Sequence, residues 1–470
     1  MRYPLAFRSA LVAVALCAAP SSAQTDLDVV PHTFLADDGR TVEAELGRFR
    51  VAENRDRPDG RTIGLAFVRF PATTPTPGPP IVYLAGGPGG SGTSAARGAR
   101  FDLFQALREV ADVVAFDQRG TGLSETLPDC PRRVRLPPEV PGSRNAYAAA
   151  WTATAEACAA HWRALGVDLA AYTTAASADD LDDLRRALGA ERISLWAISY
   201  GTHLALATIR RHPDAVASAV LAGVEGPDHT DKLPSHQQAL LEQIDAIHRS
   251  QNPEASSLLD DLAVVLGRLR EAPVVVGAGD DAVAVTAFDV QWLVANMLRG
   301  PEQSMGLPEM AAAMRGGDFA GVARWLGYLK AWGDVSAMAA AVDAASGASL
   351  WRRARIAHEA ERTLLGDAIN FPGPVVRRAL RVPDLGPAFR APVVSDVPTL
   401  FVSGTLDGRT PPANADEVRA GFSRHAHLVV EGAGHSDPLF LGSPVILERM
   451  RALFEGEVGE SATIPMAEGS

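Results

Sequence analysis

The chain has 470 residues, of which 47% are hydrophobic and 21% are charged. A chain of this length and composition can bury a large core, and global disorder is excluded. The formal net charge is −12 and there is no block of basic residues, which argues against nucleic acid and anionic lipid as partners.

Residues 1–23 have the pattern of a secretory signal peptide. Arg2 and Arg8 give a basic start, Ser9–Ala19 is a short apolar run, and residues 21–23 offer a cleavage site. The apolar run is too short to span a bilayer, and no later segment is long enough either. We therefore expect an exported protein, periplasmic or secreted, without stable membrane insertion. The alternative for this segment is an N-terminal helix of the fold.

The next elements predict a hairpin followed by an α/β fold. Two alternating runs, Thr41–Val51 and Thr62–Phe70, predict an N-terminal β-hairpin. Short continuous apolar runs then alternate with helical patterns, which indicates a mostly parallel sheet with helices on both faces. These runs are Ile81–Leu84, Asp112–Phe116, Ile193–Ile198, Val216–Val224, Val397–Val402 and His427–Val430.

Between Val224 and Val397 the alternation of strands and helices is interrupted, and the pattern is mostly helical. An insertion of this size between two strands of a sheet indicates a lid. The predicted division is a signal peptide (1–23), a first core part (24–225), a helical lid (226–395), a second core part (396–457) and a flexible tail (458–470).

A glycine-rich loop directly follows the strand Ile81–Leu84. Glycines let backbone N–H groups approach a bound carbonyl oxygen, so this loop can stabilise an oxyanion. We expect one donor from the Gly86-Gly87 region, with Gly87 favoured, and the other from Tyr200 N–H. The alternatives are a flexible turn and, less well supported because G-K-[ST] is missing, a phosphate loop.

Ser199 ends the strand Ile193–Ile198 and precedes a helical run. The context almost matches G-x-S-x-G, the turn that presents a nucleophilic serine in α/β-hydrolases. Gly201 fits that pattern, whereas Ala197 replaces the first glycine by a residue one methyl larger. The alternative is a buried structural serine.

Two further polar residues follow strands later in the chain. Asp407 follows Val397–Val402 and His435 follows His427–Val430. The order Ser, Asp, His is that of an α/β-hydrolase triad, in which the histidine takes the serine proton and the aspartate orients the histidine. We expect this chemistry to need no cofactor, and the Cys and His spacings indicate no structural metal.

Cys130 and Cys158 remain once Cys17 leaves with the predicted signal peptide. Two cysteines in an exported protein predict one disulfide, and two free thiols are the alternative.

Several motifs together resemble one family. They are Gly86-Gly87-Pro88-Gly89, the run Asp117–Ser124 (DQRGTGLS), Ser199–Thr202, and the Asp407 and His435 turns. From about Val51 to Phe454 the chain is similar to the proline iminopeptidase / tripeptidyl aminopeptidase group of serine peptidases. The resemblance implies an α/β-hydrolase fold and an exopeptidase whose helical cap restricts access to the site. Ala85 and Ala197 depart from the family pattern, where His and Gly are usual, without removing a catalytic group.

An aminopeptidase needs carboxylates for the substrate ammonium group. Glu225, just past the strand Val216–Val224, is the first candidate, and Glu359 and Glu361 in the lid are weaker ones. For each of them, a solvated or salt-bridged carboxylate is the alternative.

The sequence supports three hypotheses of function. The first is an exported aminopeptidase that acts on peptides through an acyl-enzyme on Ser199. The second is a carboxylesterase that uses the same residues on a small ester, because fold and triad are common to both. The third, a non-catalytic binding protein on this scaffold, is weakened because no triad member is missing.

Overall fold

The computed structural model describes residues 27–137, 139–331 and 333–467. The predicted signal peptide lies outside these residues. Twelve strands and eighteen α-helices are assigned within them. The strands are β1 (Asp28–Leu35), β2 (Thr41–Ala52), β3 (Thr62–Phe70), β4 (Ile81–Leu84), β5 (Val113–Asp117), β6 (Ile193–Ile198), β7 (Val216–Ala222), β8 (Val274–Val276), β9 (Val283–Val285), β10 (Thr399–Gly404), β11 (His425–Glu431) and β12 (Ala462–Pro465).

The helices follow in chain order. They are α1 (Gly92–Arg97), α2 (Phe101–Ala106), α3 (Arg144–Ala164), α4 (Thr174–Ala187), α5 (Tyr200–Arg211), α6 (Pro234–Gln251), α7 (Leu258–Glu271), α8 (Ala287–Met297), α9 (Pro301–Ser304), α10 (Leu307–Arg315), α11 (Ala320–Ala331), α12 (Ala337–Ser346), α13 (Leu350–Ala360), α14 (Gly373–Leu380), α15 (Gly386–Arg390), α16 (Pro412–Arg419), α17 (Pro438–Leu441) and α18 (Pro444–Phe454). None of these helices is long and apolar enough to cross a bilayer.

Ten strands form one sheet in the order β1-β2-β3-β5-β4-β6-β7-β10-β11-β12. The first three strands are antiparallel, and β3 pairs antiparallel with β5; from β5 to β12 every pairing is parallel. The predicted hairpin is β2 and β3, to which β1 adds an edge strand that was not predicted. The predicted fold class, a mostly parallel sheet between helices, is confirmed.

The sheet separates two apolar cores, as the pleat of β6 illustrates. Leu195 and Ala197 belong to one buried cluster, and Trp196 and Ile198 belong to the other. Side chains alternate between the faces of a strand, so a strand covered on both faces is apolar at every position. For this reason the parallel strands consist of continuous apolar runs in the sequence.

A helical segment with one short hairpin, β8–β9, connects β7 to β10. It has a third apolar cluster of its own, which includes Leu262, Leu266 and Leu293. Tyr147 of α3 joins that cluster, although α3 precedes β6 in the chain. Helix α3, which was not predicted from the sequence, packs against α14 of the inserted segment.

Two features lie outside the main sheet's centre. A disulfide joins Cys130 to Cys158 of α3, and it ties the chain that follows β5 to that helix. The expectation of a flexible tail over 458–470 is wrong for Ala462–Pro465, because these residues form β12 and pair with β11 at the edge of the sheet.

Candidate active site

Ser199 stands where β6 turns into α5, in a backbone conformation that few residues adopt. Its φ of 55° and ψ of −128° lie outside the regions favoured by residues other than glycine. The turn is tight because α5 begins against β4: a Cβ at Gly201 would lie 2.1 Å from the Leu84 carbonyl oxygen. Ala197 is fully buried in β6, and its methyl group belongs to the core cluster beneath the turn.

Three predicted residues meet at the carboxyl ends of β6, β10 and β11. His435 Nε2 lies 2.9 Å from Ser199 Oγ, and His435 Nδ1 lies 2.9 Å from Asp407 Oδ2. Asp407 and His435 are buried, and Ser199 is partly exposed. One ring nitrogen can therefore take the serine proton while the other is held by the carboxylate, which is the geometry required for acyl transfer.

Asp407 is held as an anion by a short turn that follows it. Arg409 N and Thr410 N each donate to Oδ1 at 2.8 Å, and Thr410 Oγ1 donates to Oδ2 at 2.8 Å. Burial by itself would raise the pKa of Asp407, but the charge and hydrogen bond of His435 and the donors from Thr410 outweigh it, so the pKa lies below its usual value. Thr410 Oγ1 also lies 2.9 Å from His435 Nδ1. Thr410 was not predicted from the sequence.

The inserted segment supports both polar turns through the chain after α8. Gly408 N donates to the Leu298 carbonyl oxygen at 2.9 Å, and His435 N donates to the Arg299 carbonyl oxygen at 2.7 Å. The loops that carry Asp407 and His435 are therefore both fastened to one short stretch of the insertion.

The glycine loop after β4 lies directly against the serine. A Cβ at Gly86 would come within 2.8 Å of Ser199 Cβ, so only glycine allows this approach. Within the described residues, Gly87 N–H has no hydrogen-bond acceptor, and Tyr200 N–H is one of the free donors at the start of α5. The two expected oxyanion donors thus belong to segments that flank Ser199.

The turn after β5 fixes that glycine loop, which explains why the two motifs occur together. Asp117 accepts hydrogen bonds from Ser91 Oγ at 2.8 Å and from Thr93 Oγ1 at 2.6 Å, and Gln118 Nε2 donates to the Ala85 carbonyl oxygen at 3.0 Å. Arg119 is fully buried in a paired contact with Asp180. These side chains act as supports, and the cavity lining does not include Asp117 or Arg119.

A cavity of about 790 Å³ opens above Ser199 and is bounded on its other side by the insertion. Helix α12 and its N-cap Ser336 form part of this boundary through residues that share one helical face. These are Ser336, Ala339, Ala340 and Asp343. Glu225 also lines the cavity, as predicted, but its carboxylate is already paired with Lys232 Nζ at 2.6 Å.

The other two predicted carboxylates are not at the cavity, and that expectation is wrong. Glu359 accepts hydrogen bonds from Ser235 N at 3.0 Å and from Arg355 Nε at 2.7 Å, so it serves the start of α6. Glu361 has an exposed side chain and a loose contact with Arg362. Helical pattern alone could not show which face of α13 and its C-terminal turn points inward.

Most charges around the cavity are paired. The pairs are Glu225 with Lys232, Asp231 with Arg377, Asp437 with Arg100, and Asp334 with Arg133. Asp343 differs: within the described residues its carboxylate has neither an ion pair nor a hydrogen bond. Burial, followed by the nearby charge of Glu225, raises the pKa of Asp343 to about 7.

The described residues contain no group of three His, Cys, Asp or Glu side chains placed to hold a metal ion.

Comparison with known proteins agrees with this geometry. Residues 79–440 match the model of the alpha/beta hydrolase fold family. The chain belongs to this family. The predicted membership of this fold family is therefore confirmed.

Two curated relatives are serine peptidases by name. Over 191 residues the chain is 34% identical to serine protease Hip1 of Mycobacterium tuberculosis, and the matched region covers 39% of this chain and 36% of the relative. Over 197 residues it is 31% identical to tripeptidyl aminopeptidase of Streptomyces coelicolor, and the matched region covers 40% of this chain and 36% of the relative. The match thus spans about a third of the length of these relatives. A solved proline iminopeptidase-related protein from Thermus thermophilus aligns with 89% of this chain and 99% of its own, at 18% identity and a TM-score of 0.39.

Thr410 should act as a positioning residue for His435. We expect Thr410→Val to lower kcat about tenfold with little change in KM, because a hydrogen bond to a charged group is lost beside the reacting histidine. Thr410→Ser, which keeps the hydroxyl group, should restore most of the rate. Steady-state kinetics of both variants decide this, and a wild-type kcat in Thr410→Val would contradict it.

Proposed function

We propose that this serine hydrolase is an aminopeptidase of the proline iminopeptidase or tripeptidyl aminopeptidase type, which releases residues from peptide N-termini through an acyl-enzyme on Ser199. The observation that carries the proposal is the combination of two features in one cavity. The hydrogen-bonded chain Ser199–His435–Asp407 opens into it, and the unpaired carboxylate of Asp343 lines it.

The acylation step follows from the distances. Ser199 Oγ attacks the scissile carbonyl carbon, and its proton passes to His435 Nε2, 2.9 Å away. The carbonyl oxygen becomes an oxyanion, which the N–H groups of Gly87 and Tyr200 stabilise. When the C–N bond breaks, His435 returns that proton to the leaving amine.

Deacylation repeats these roles with water as the nucleophile. A water molecule gives one proton to His435 Nε2 while its oxygen attacks the acyl carbon. The bond to Ser199 Oγ then breaks, and Oγ takes the proton back from His435. Asp407 stays ionised throughout and stabilises the imidazolium form, in keeping with its lowered pKa.

The role proposed for Asp343 is to bind the substrate's N-terminal ammonium group. Its carboxylate is half-buried, and the two acids of the cavity lining that raise its pKa, Glu225 and Asp231, are bound to Lys232 and Arg377. A cation would relieve both the burial of Asp343 and its repulsion by Glu225. An ammonium ion beside Asp343 would therefore fix the N-terminus at a set distance from Ser199.

The relatives support a peptidase without defining this chain's substrate. One of them is named a serine protease and another a tripeptidyl aminopeptidase, each at modest identity over part of its length. The two candidate functions differ in substrate preference: an aminopeptidase prefers amides, whereas a carboxylesterase prefers esters.

Removing the nucleophile should abolish turnover. We expect Ser199→Ala to lower kcat at least about a thousandfold and to leave the thermal unfolding midpoint nearly unchanged. Ser194→Ala, in the same strand but outside the cavity, is the matched control and should stay active. The substrates are aminoacyl, prolyl and tripeptidyl amides with free or acetylated N-termini, together with simple esters. Turnover of esters alone, indifferent to N-acetylation, would reject the aminopeptidase in favour of the esterase.

Asp343→Asn should weaken the binding of substrates with a free N-terminus in a pH-dependent way. Asp343 is an anion above its pKa of about 7, so at pH 8 we expect KM to rise about tenfold or more in the variant. Below pH 6 the wild-type carboxyl is mostly protonated, and the two proteins should converge. The ratio of the kcat/KM values of the two proteins at each pH cancels every pH effect that both proteins share.

The control for this change is Asp334→Asn, at an exposed acid on the cavity rim that is paired with Arg133. A ratio that does not change with pH, or an equal effect of Asp334→Asn, would contradict the role of Asp343.

We further propose that the protein is exported, with residues 1–23 removed. The basic and apolar pattern of those residues and the disulfide between Cys130 and Cys158 support this. N-terminal sequencing of protein recovered from outside the cytoplasm should begin just after Ala23. Recovery of intact protein from the cytoplasm alone would contradict export.

A further inference from the structure

Two arginines at the cavity are left without an acidic partner. Arg299 and Arg409 both line it, and within the described residues neither of them forms an ion pair. Every other cationic side chain of the lining is paired with a carboxylate: Arg100, Lys232 and Arg377. The two guanidinium groups therefore form a local excess of positive charge in a protein whose net charge is −12.

Arg299 stands beside the histidine. Its carbonyl oxygen accepts the His435 N–H at 2.7 Å, and its Nε lies 3.5 Å from the His435 carbonyl oxygen. The side chain is otherwise exposed, so its remaining N–H groups are available to a bound molecule.

Arg409 is the more buried of the two. It lies two residues after Asp407, and its Nη2 donates to Asn296 Oδ1 at 2.9 Å. Burial, followed by the charge of Arg299, lowers the pKa of Arg409, so the two guanidinium groups are close enough to repel each other. A bound anion would remove this repulsion.

The position of these groups relative to His435 indicates which part of a substrate they meet. The group that leaves after acylation takes its proton from His435 Nε2, and it must therefore lie beside that ring. Arg409 belongs to the turn that carries Asp407, and Arg299 belongs to the stretch of the insertion that is hydrogen-bonded to His435. We propose that they bind a carboxylate carried by the leaving part of the substrate.

The chemistry of the guanidinium group favours this ligand. A planar guanidinium matches a carboxylate with two parallel hydrogen bonds, and such pairs are stronger than neutral ones. The carboxylate can come from the C-terminus of a short peptide or from an acidic side chain just after the scissile bond. In the first case, Asp343 would bind the N-terminal ammonium group of a short peptide and the two arginines would bind its C-terminal carboxylate. This extension rests on the proposed function.

Inhibition measurements test the site without requiring peptide cleavage. The inhibitors are N-acetyl-Gly-Gly and its C-terminal amide, and N-acetyl-Glu amide and N-acetyl-Gln amide, which carry no ammonium group. The substrate is a neutral aminoacyl anilide, or a neutral ester if the enzyme hydrolyses only esters. We expect at least one acid to inhibit about tenfold more strongly than its matched amide, with the difference shrinking as salt is added.

The variants assign this preference to the arginines. Arg299→Gln should reduce the acid-to-amide ratio of inhibition strength severalfold, and Arg299→Gln with Arg409→Gln should bring it close to one. Arg299→Lys should retain part of it. Arg192→Gln, at an exposed arginine before β6, should keep the wild-type ratio. Because Arg299 is exposed, its variants test the site even if the change at Arg409 prevents folding.

The outcomes separate the two proposals. Preference for N-acetyl-Gly-Gly identifies the C-terminal carboxylate, and preference for N-acetyl-Glu amide identifies a side chain. Equal inhibition by acids and amides in the wild type, or a preference that survives in the arginine variants, would overturn the carboxylate site. Hydrolysis of esters alone would reject the aminopeptidase while the inhibition ratios still report on the arginines.

Discussion

The strained backbone of Ser199 depends on the close approach of α5 to β4, and the rest of the site is arranged around it. A positive φ at a residue other than glycine costs on the order of 1–3 kcal/mol, and it persists only where the surroundings over-determine it. Here the surroundings are the carbonyl of Leu84, which leaves no room for a side chain at Gly201, and the parallel pairing of β4 with β6. The result is a hydroxyl group that points away from the sheet and toward His435.

The loops around Ser199 are held by buried carboxylates that are not themselves at the reacting atoms. Asp117 gathers donors from the glycine loop and from its own turn, and Asp180 receives the buried guanidinium of Arg119. Buried anions of this kind are costly unless every oxygen is hydrogen-bonded, and each is satisfied by backbone or side-chain donors. The site therefore rests on a rigid polar layer between the sheet and the cavity, which is what precise positioning of an oxyanion loop requires.

The electrostatic character of the cavity comes from the few charged side chains that have no ion-pair partner. Most acids and bases of the lining neutralise one another, which leaves Asp343 on the α12 side and Arg299 with Arg409 on the histidine side. An unpaired charge in a half-buried site keeps a desolvation cost that a ligand of opposite sign can remove. Selectivity in such a cavity comes from where those few charges stand relative to Ser199, and the insertion supplies two of the three.

Sequence patterns determined the fold class and the choice of Ser199, Asp407 and His435, because both depend on local chain features. Continuous apolar runs mark doubly covered strands, and Ser199, Asp407 and His435 each follow such a run; parallel strands then bring their carboxyl ends to one edge. Only the tertiary structure decided which lid side chains reach that edge. Glu359 and Glu361 were predicted from the sequence and Asp343 was not, since the inward-facing residues of a helix can be recognised only when packing fixes which face points inward. Thr410 and Arg299 could not be predicted because both contact His435, which is distant in sequence. Such contacts exist only once the chain is folded.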